Sequence, residues 1–226
     1  MRGTGSSTAV TRNTLRQQIA DALRDEVLAG RLQPGQEFTV KQIAEQYGVS
    51  ATPVREALVD LSAQGLLDSD QHRGFKVHQF SVPDYRCMIE ARAMITDGIF
   101  RHTILHGPAS VQGQALVSIR RRGEEAGRAA RCGDVDILIG YDLRFWRELA
   151  SVVANRYISD FLHRLRVQTW VFAVPYLRGD ENLSDSLWSG HGELVEAVGA
   201  GDVEAARAVV SAYNDHSLAW ADRLER

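Results

Sequence analysis

The sequence predicts a mainly α protein: a winged helix-turn-helix of three helices and a β-hairpin wing, then an all-α bundle of six or seven helices. Two observations carry the first half. Apolar residues recur at helical spacing in three short segments before residue 65, with only a few residues between the second and third, and an extended segment with a tight tip follows. One observation carries the second half: from residue 84 onward nearly every segment reads as helix, with short breaks.

Residues 1–13 are rich in Gly, Ser and Thr, carry Arg2 and Arg12, and read as a flexible arm. The winged helix-turn-helix is placed at 14–79. In 14-TLRQQIADALRDEVLAG-30, Leu15, Ile19, Leu23 and Val27 fall four apart, and Gly30 is a natural stop. The Pro34-Gly35 pair reads as a turn. A second helix runs from about Thr39 to Tyr47, with Val40, Ile43, Ala44 and Tyr47 on one stripe and Gly48 as its C-terminal cap. The third spans about Ser50 to Gly65, with Val54, Leu58 and Leu61 facing inward. The segment 66-LLDSDQHRGFKVHQF-80 then gives two short strands around a His72-Arg73-Gly74 tip. Residues 81-SVPD-84 form a linker, with Pro83 and Asp84 opening the next helix. The all-helical region is placed at 84–226, with helices at about 84–105, 109–131, 134–153, 156–174, 184–200 and 202–223. Breaks are expected at Gly107-Pro108, Cys132-Gly133, Asn155, Pro175 and Gly199/Gly201.

Composition narrows the function. An apolar fraction of 44% in 226 residues supports real cores, and a formal charge of −3 argues against a broadly cationic coat. Nine basic and nine acidic side chains fall within 1–80, so the excess acid lies in the bundle. The two cysteines, Cys87 and Cys132, form no CxxC pair and read as free, inert thiols of a reducing cytoplasm. The opening residues MRGTGSSTAVTRNT have no apolar core of a signal peptide, and no apolar run approaches the roughly 20 residues needed to span a bilayer. A cytoplasmic protein with no membrane partner is expected.

The stretch 48-GVSATPVREAL-58 holds the chemistry of the first half. Proline has no N–H and fits a helix only in its first turn, so Pro53 fixes the start of the third helix, with Ser50 or Thr52 as cap. Arg55 then lies off the Val54/Leu58/Leu61 stripe and points outward. A cation, hydroxyls and a helix N-terminus together suit DNA phosphates and base edges. Lys41, at the start of the second helix, is either a backbone contact or a solvated charge.

These residues resemble the winged-helix domain of GntR-type bacterial regulators. The match runs through 27-VLAGRLQPGQEF-38, 43-IAEQYGVSATPVREALVDLSAQGLL-67 and 72-HRGFKV-77. The resemblance implies that Lys41, Ser50, Thr52, Arg55 and the His72, Arg73, Gly74 wing face a double-stranded DNA operator. Ala51 stands where relatives often carry arginine, which implies a missing contact and a different operator preference.

Residues 84–223 resemble the helical ligand-binding domain, FCD, of the FadR branch. The matching pieces are 89-IEAR-92, 142-DLRFWRELASVVAN-155, 191-HGELVEAVGAGD-202 and 205-AARAVVSAY-213. In many relatives this domain holds a divalent metal through one Asp and three His, and a small carboxylate effector beside it. Carry-over gives Asp142 and His191, but Trp146 and Tyr213 replace the other two histidines. His216, near Tyr213 on the same face, is a possible substitute. Two or three ligands make a poor transition-metal site, so the working expectation is no cofactor, with a metal on an Asp142, His191, His216 remnant as the alternative. A metal-free pocket would use Arg92 against an anionic effector, Asp142, His191 and Tyr213 as hydrogen-bonding groups, and Trp146 as a wall. A simple Asp142–His191 polar pair across the core is the plainer reading.

Arg120-Arg121-Arg122 reads as a solvated face, and 170-WVFAV-174 as core or dimer interface. The expected function is a homodimeric transcriptional regulator, repressor or activator, whose operator binding responds to a small carboxylate. Two other readings stand beside it: a DNA-binding protein with a purely structural bundle, and a metal-assisted hydrolase using Asp142 and His191. Against the enzyme, the sequence has no HExxH, no elbow serine and no Gly-rich phosphate loop.

Overall fold

The computed structural model describes residues 5–70, 74–106, 113–180 and 183–225. The chain divides into two compact units, 1–80 and 81–226.

In the first unit, α1 (Gly5–Leu28) packs on α3 (Ala51–Ala63), with α2 (Val40–Tyr47) lying against α3. The core is the expected stripe: Ile19, Leu23 and Val27 of α1 are buried, as are Ile43 of α2 and Val54, Leu58 and Leu61 of α3. Helix α1 begins earlier than its apolar stripe. Residues 5–13, expected as a flexible arm, continue the helix from Gly5. The physical reason is propagation: once a turn exists, each further residue adds a hydrogen bond, and no proline interrupts this run.

Helix α2 has a full capping box. Thr39 Oγ1 accepts from the Gln42 N–H, and the Gln42 side chain accepts from the Thr39 N–H. Gly48 closes it in the left-handed conformation. The wing is a three-stranded antiparallel sheet in the order β1-β3-β2: β1 (Glu37–Phe38), β2 (Leu67–Asp70) and β3 (Gly74–Val77). Strand β1 was not legible, because two residues show no alternation; buried Phe38 is what ties it to Phe75 of β3.

Gly74 opens β3 at φ +104°, and a Cβ built there would lie 2.6 Å from the Phe38 carbonyl oxygen. Only glycine fits that approach. Gly74→Ala is therefore expected to destabilise the first unit by about 1–3 kcal/mol, read as a fall in its unfolding midpoint.

The second unit contains α4 (Val82–His106), α5 (Gly113–Cys132), α6 (Val135–Val153), α7 (Arg156–Leu177), α8 (Leu183–Ser186), α9 (His191–Ala200) and α10 (Val203–Leu224). Helix α4 starts at Val82, inside the expected linker. Ser81 and Asp84 bond reciprocally across its first turn, Ser81 N–H to Asp84 Oδ2 and Asp84 N–H to Ser81 Oγ. Asp134, Asn155 and Asp202 cap α6, α7 and α10 through their side-chain oxygens. The expected break at Gly107-Pro108 lies outside the described residues.

Two boundaries differ from expectation. Helix α7 runs through Pro175 to Leu177 instead of stopping at 174. Proline so near the end removes one backbone bond, and burial of Val174 and Leu177 holds the last turn. The helix expected over 184–200 is split into α8 and α9. At Gly190 a Cβ would fall 2.7 Å from the Trp188 ring, so the indole folds back where a continuous helix would carry it outward.

The core of this unit collects Ile119, Phe145, Leu149, Leu194, Val195 and Val210 from α5, α6, α9 and α10. In 170-WVFAV-174, Val171, Phe172, Ala173 and Val174 are buried. Arg120 pairs with Glu196 and Arg122 with Glu148, while Arg121 is exposed. Both cysteines are free and exposed. Among the described residues, no helix is long and apolar enough to cross a membrane.

Candidate functional site

Two separate sites follow from the fold, one in each unit. In the first unit, Ser50 is the N-cap residue of α3, with extended backbone (φ −72°, ψ 155°), and its hydroxyl makes no capping bond. Pro53 sits in the first turn and is buried, as its chemistry requires. Ser50, Ala51, Thr52, Arg55 and Glu56 are exposed around that helix start. Val54, Ala57, Leu58 and Leu61 take the opposite face. Arg55 therefore projects from the first turn with no ion-pair partner among the described residues. Lys41 is exposed, with Glu45 one turn on at 3.8 Å, and an exposed pair of this kind is weak. Gly74 is described above, whereas His72 and Arg73 lie outside the described residues. The exposed side of α3 thus offers hydroxyls, one extended cation and free helix N–H groups, the combination that duplex DNA accepts.

In the second unit, four ionisable side chains from four helices meet deep inside the bundle: Arg92 (α4, 3% exposed), Asp142 (α6, 2%), Arg166 (α7, 5%) and His191 (α9, 1%). Asp142 is the hub. Its Oδ1 accepts from Trp146 Nε1 at 2.9 Å and faces His191 Nε2 at 2.9 Å; its Oδ2 accepts from Trp170 Nε1 at 2.8 Å. Arg166 Nη1 stands 3.5 Å from Oδ2 and donates to the Tyr213 hydroxyl at 2.8 Å. An ionised carboxylate only accepts, which places the His191 proton on Nε2.

Arg92 is built differently. It donates to Asn214 Oδ1 (2.8 Å), Tyr213 Oη (2.9 Å) and Ser217 Oγ (3.1 Å), all neutral groups of α10. No carboxylate pairs with it among the described residues. Burial, and then the neighbouring Arg166 cation, push its pKa down against the opposing pull of Tyr213. A buried charge of this kind is costly unless something compensates it.

Both guanidiniums face one cavity of about 110 Å³. Its polar end is Arg92, Arg166, Trp146 and Tyr213; its walls are Ile99, Phe100, Leu149, Val153, Leu162 and Val210. Aromatic rings brace the cations: Arg166 lies 4.2 Å from the Trp146 ring centre and Arg92 4.1 Å from that of Tyr213.

Of the sequence-predicted pocket residues, Arg92, Trp146 and Tyr213 line this cavity, and Asp142 and His191 lie immediately behind them. The plainer reading of an Asp142–His191 contact is correct as far as it goes, but it is one spoke of a larger network. Arg166 and Trp170 were missed. The structure buries Ser159, Arg166, Thr169 and Ala173 at helical spacing on α7, but in the sequence this polar stripe carries no apolar signal that would have marked Arg166 as inward-facing.

The metal remnant does not assemble. His216 turns its Nε2 to the Ser186 carbonyl at 3.0 Å. Both Asp142 oxygens are engaged, by Trp146 and His191 on one side and Trp170 and Arg166 on the other. Among the described residues, no group of three or more His, Cys, Asp or Glu is placed to hold a metal. The residues present do not fit one.

The Asp142 charge predicts an acid response. Burial alone would raise its carboxyl, but Arg166, followed by the His191 and Trp170 donors, holds it at about 2, below its ordinary 3.8. A depressed folded-state pKa contributes stability that is complete above the unfolded value and lost as pH falls through the folded one. The second unit should therefore lose about 2 kcal/mol between pH 4 and pH 2. Acid titration followed by circular dichroism should show this dependence in the native protein and its absence in Asp142→Asn.

A winged helix-turn-helix with a cationic helix start, joined in sequence to a helical domain with a charged cavity, defines a DNA-binding transcriptional regulator. Residues 9–77 match the model of the bacterial regulatory proteins of the gntR family, and residues 87–216 match the FCD domain. The chain belongs to the GntR family, in its FCD-containing FadR branch. It is 28% identical over 201 residues to a protein of Paenarthrobacter nicotinovorans named "Probable D-xylose utilization operon transcriptional repressor", covering 89% of this chain and 86% of that one. It is 23% identical over 204 residues to the HTH-type transcriptional regulator YdhC of Bacillus subtilis, covering 88% and 87%. The solved structure of McbR/YncC of Escherichia coli has the same fold, with a TM-score of 0.76, 22% identity, and coverage of 94% and 99%. The family and these relatives are regulators of transcription, not enzymes.

Proposed function

We propose that this regulator binds its operator as a homodimer in the cytoplasm, and that a small carboxylate in the second unit's cavity changes its operator affinity. Arg55 and the hydroxyls of Ser50 and Thr52 meet the duplex, with Lys41 and the wing on its backbone. Two copies would present two such helices to a two-fold operator. Coupling requires only that the effector bind one arrangement of the bundle better than another.

The observation that carries the effector reading is Arg92: a buried guanidinium at a cavity wall, held by neutral partners and with no carboxylate partner among the described residues. A purely structural bundle gains nothing from it, whereas an anionic ligand would complete it. Thermal-shift measurements against a panel of small carboxylates test this. A ligand at one hundred times its Kd should stabilise the native chain by roughly 2.7 kcal/mol, and Arg92→Gln should lose the response. A melting temperature indifferent to every carboxylate in the panel would leave the bundle as a structural element only.

A further inference from the structure

The fold family implies a divalent metal among positions 142, 146, 191 and 213, and in this chain a guanidinium stands there. Arg166 Nη1 is 2.8 Å from the Tyr213 hydroxyl and 3.5 Å from Asp142 Oδ2, with its guanidinium carbon 4.2 Å from the Trp146 ring centre. We infer that Arg166 is a fixed cation in place of the metal, and that the cavity takes a monocarboxylate with an apolar body, with no metal in the complex. This rests on the reading of the cavity as an effector site and names its ligand class.

The charge and chemistry of the walls narrow that class. Two guanidiniums face one carboxylate, Asp142, so the polar end has one positive charge left to match. Each terminal guanidinium nitrogen has two N–H groups, and Nη1 and Nη2 of Arg92 each spend one on α10. The Tyr213 hydroxyl accepts from both arginines, which leaves its own proton for a ligand oxygen. These donors converge on one carboxylate head.

Away from that end, polar groups are few and largely used. The hydroxyls of Thr96 and Thr103 bond back to α4 carbonyls. His163 adds an imidazole to the lining. Asp202 also lines the cavity, its carboxylate oxygen capping α10 through the Ala205 N–H at 2.9 Å. Away from the arginines a second anionic group on the ligand would therefore meet apolar wall, the Asp202 carboxylate or the single His163 imidazole, with no second guanidinium pair to hold it. An apolar body meets Ile99, Phe100, Leu149, Val153, Leu162 and Val210.

Isothermal titration calorimetry on the full chain tests this with hexanoate, benzoate, succinate and hexylamine, each in EDTA. Separate titrations use zinc and nickel salts alone. Hexanoate or benzoate should bind in EDTA at least about tenfold more tightly than succinate, hexylamine should give no heat, and neither metal should bind stoichiometrically. Arg166→Gln should weaken the monocarboxylate at least about tenfold, and Arg166→Lys, which keeps charge but loses the planar fork, by less. Melting curves of both variants establish that they fold.

Carboxylate binding that EDTA abolishes and zinc or nickel restores would overturn the inference while leaving the effector site in place. Succinate binding more tightly than hexanoate would do the same. If no carboxylate binds with or without metal, both the inference and the effector reading fail.

Discussion

Asp142→Ala is expected to destabilise the second unit by about 3–5 kcal/mol, the largest stability effect of any single substitution at its polar centre. Among the described residues Asp142 is the one carboxylate paired with the buried Arg166, and it accepts from Trp146 and Trp170 while facing His191. Its removal leaves Arg166 buried without compensation and strands three donors at once. For a unit of this size the loss corresponds to roughly 6–20 °C in melting temperature. The cause is distinguishable from simple cavity formation. In the double variant Asp142→Ala/Arg166→Met the cation that Asp142 compensates is gone as well, so much of the lost stability should return. Equal melting temperatures for the single and double variants would contradict the network's role.

Arg55→Ala is expected to lower affinity for a specific duplex by about 1–3 kcal/mol, roughly 5- to 150-fold, with no change in melting temperature. The residue is exposed in the first turn of α3, opposite the buried Val54, Leu58 and Leu61. Truncation therefore removes contact with the partner and nothing from the core. Lys41→Ala should act differently, weakening all duplexes alike and reducing the salt dependence. Unchanged operator affinity in the Arg55 variant would move the reading surface elsewhere.

The parts of this molecule that were legible in its sequence are those where a residue's own chemistry dictates its position. Pro53 can occupy only a first turn, and α3 begins two residues before it. Gly48 closes α2 where the sequence placed its end. Arg92, Trp146 and Tyr213 came from resemblance to relatives, and the structure places them around one cavity. What stayed hidden depends on partners distant in the chain. Arg166 on its own is one arginine among many; its meaning comes from Asp142, 24 residues earlier, and Tyr213, 47 residues later. Strand β1 exists because Phe38 finds Phe75, and α8 separates from α9 because Trp188 folds over Gly190. Pro175 misled for the converse reason: local propensity argued for a stop, and burial of the last turn overrode it.

The helix-turn-helix and the cavity acquire a single purpose only if occupancy of one alters the other. That link is tested by fluorescence anisotropy on the full chain, using a duplex selected from a random pool and titrated with and without hexanoate in EDTA. The account predicts salt-sensitive, sequence-selective binding whose midpoint shifts severalfold with hexanoate, and a shift that Arg92→Gln abolishes while duplex binding persists. Identical binding curves with and without a carboxylate that the calorimeter shows to be bound would contradict it.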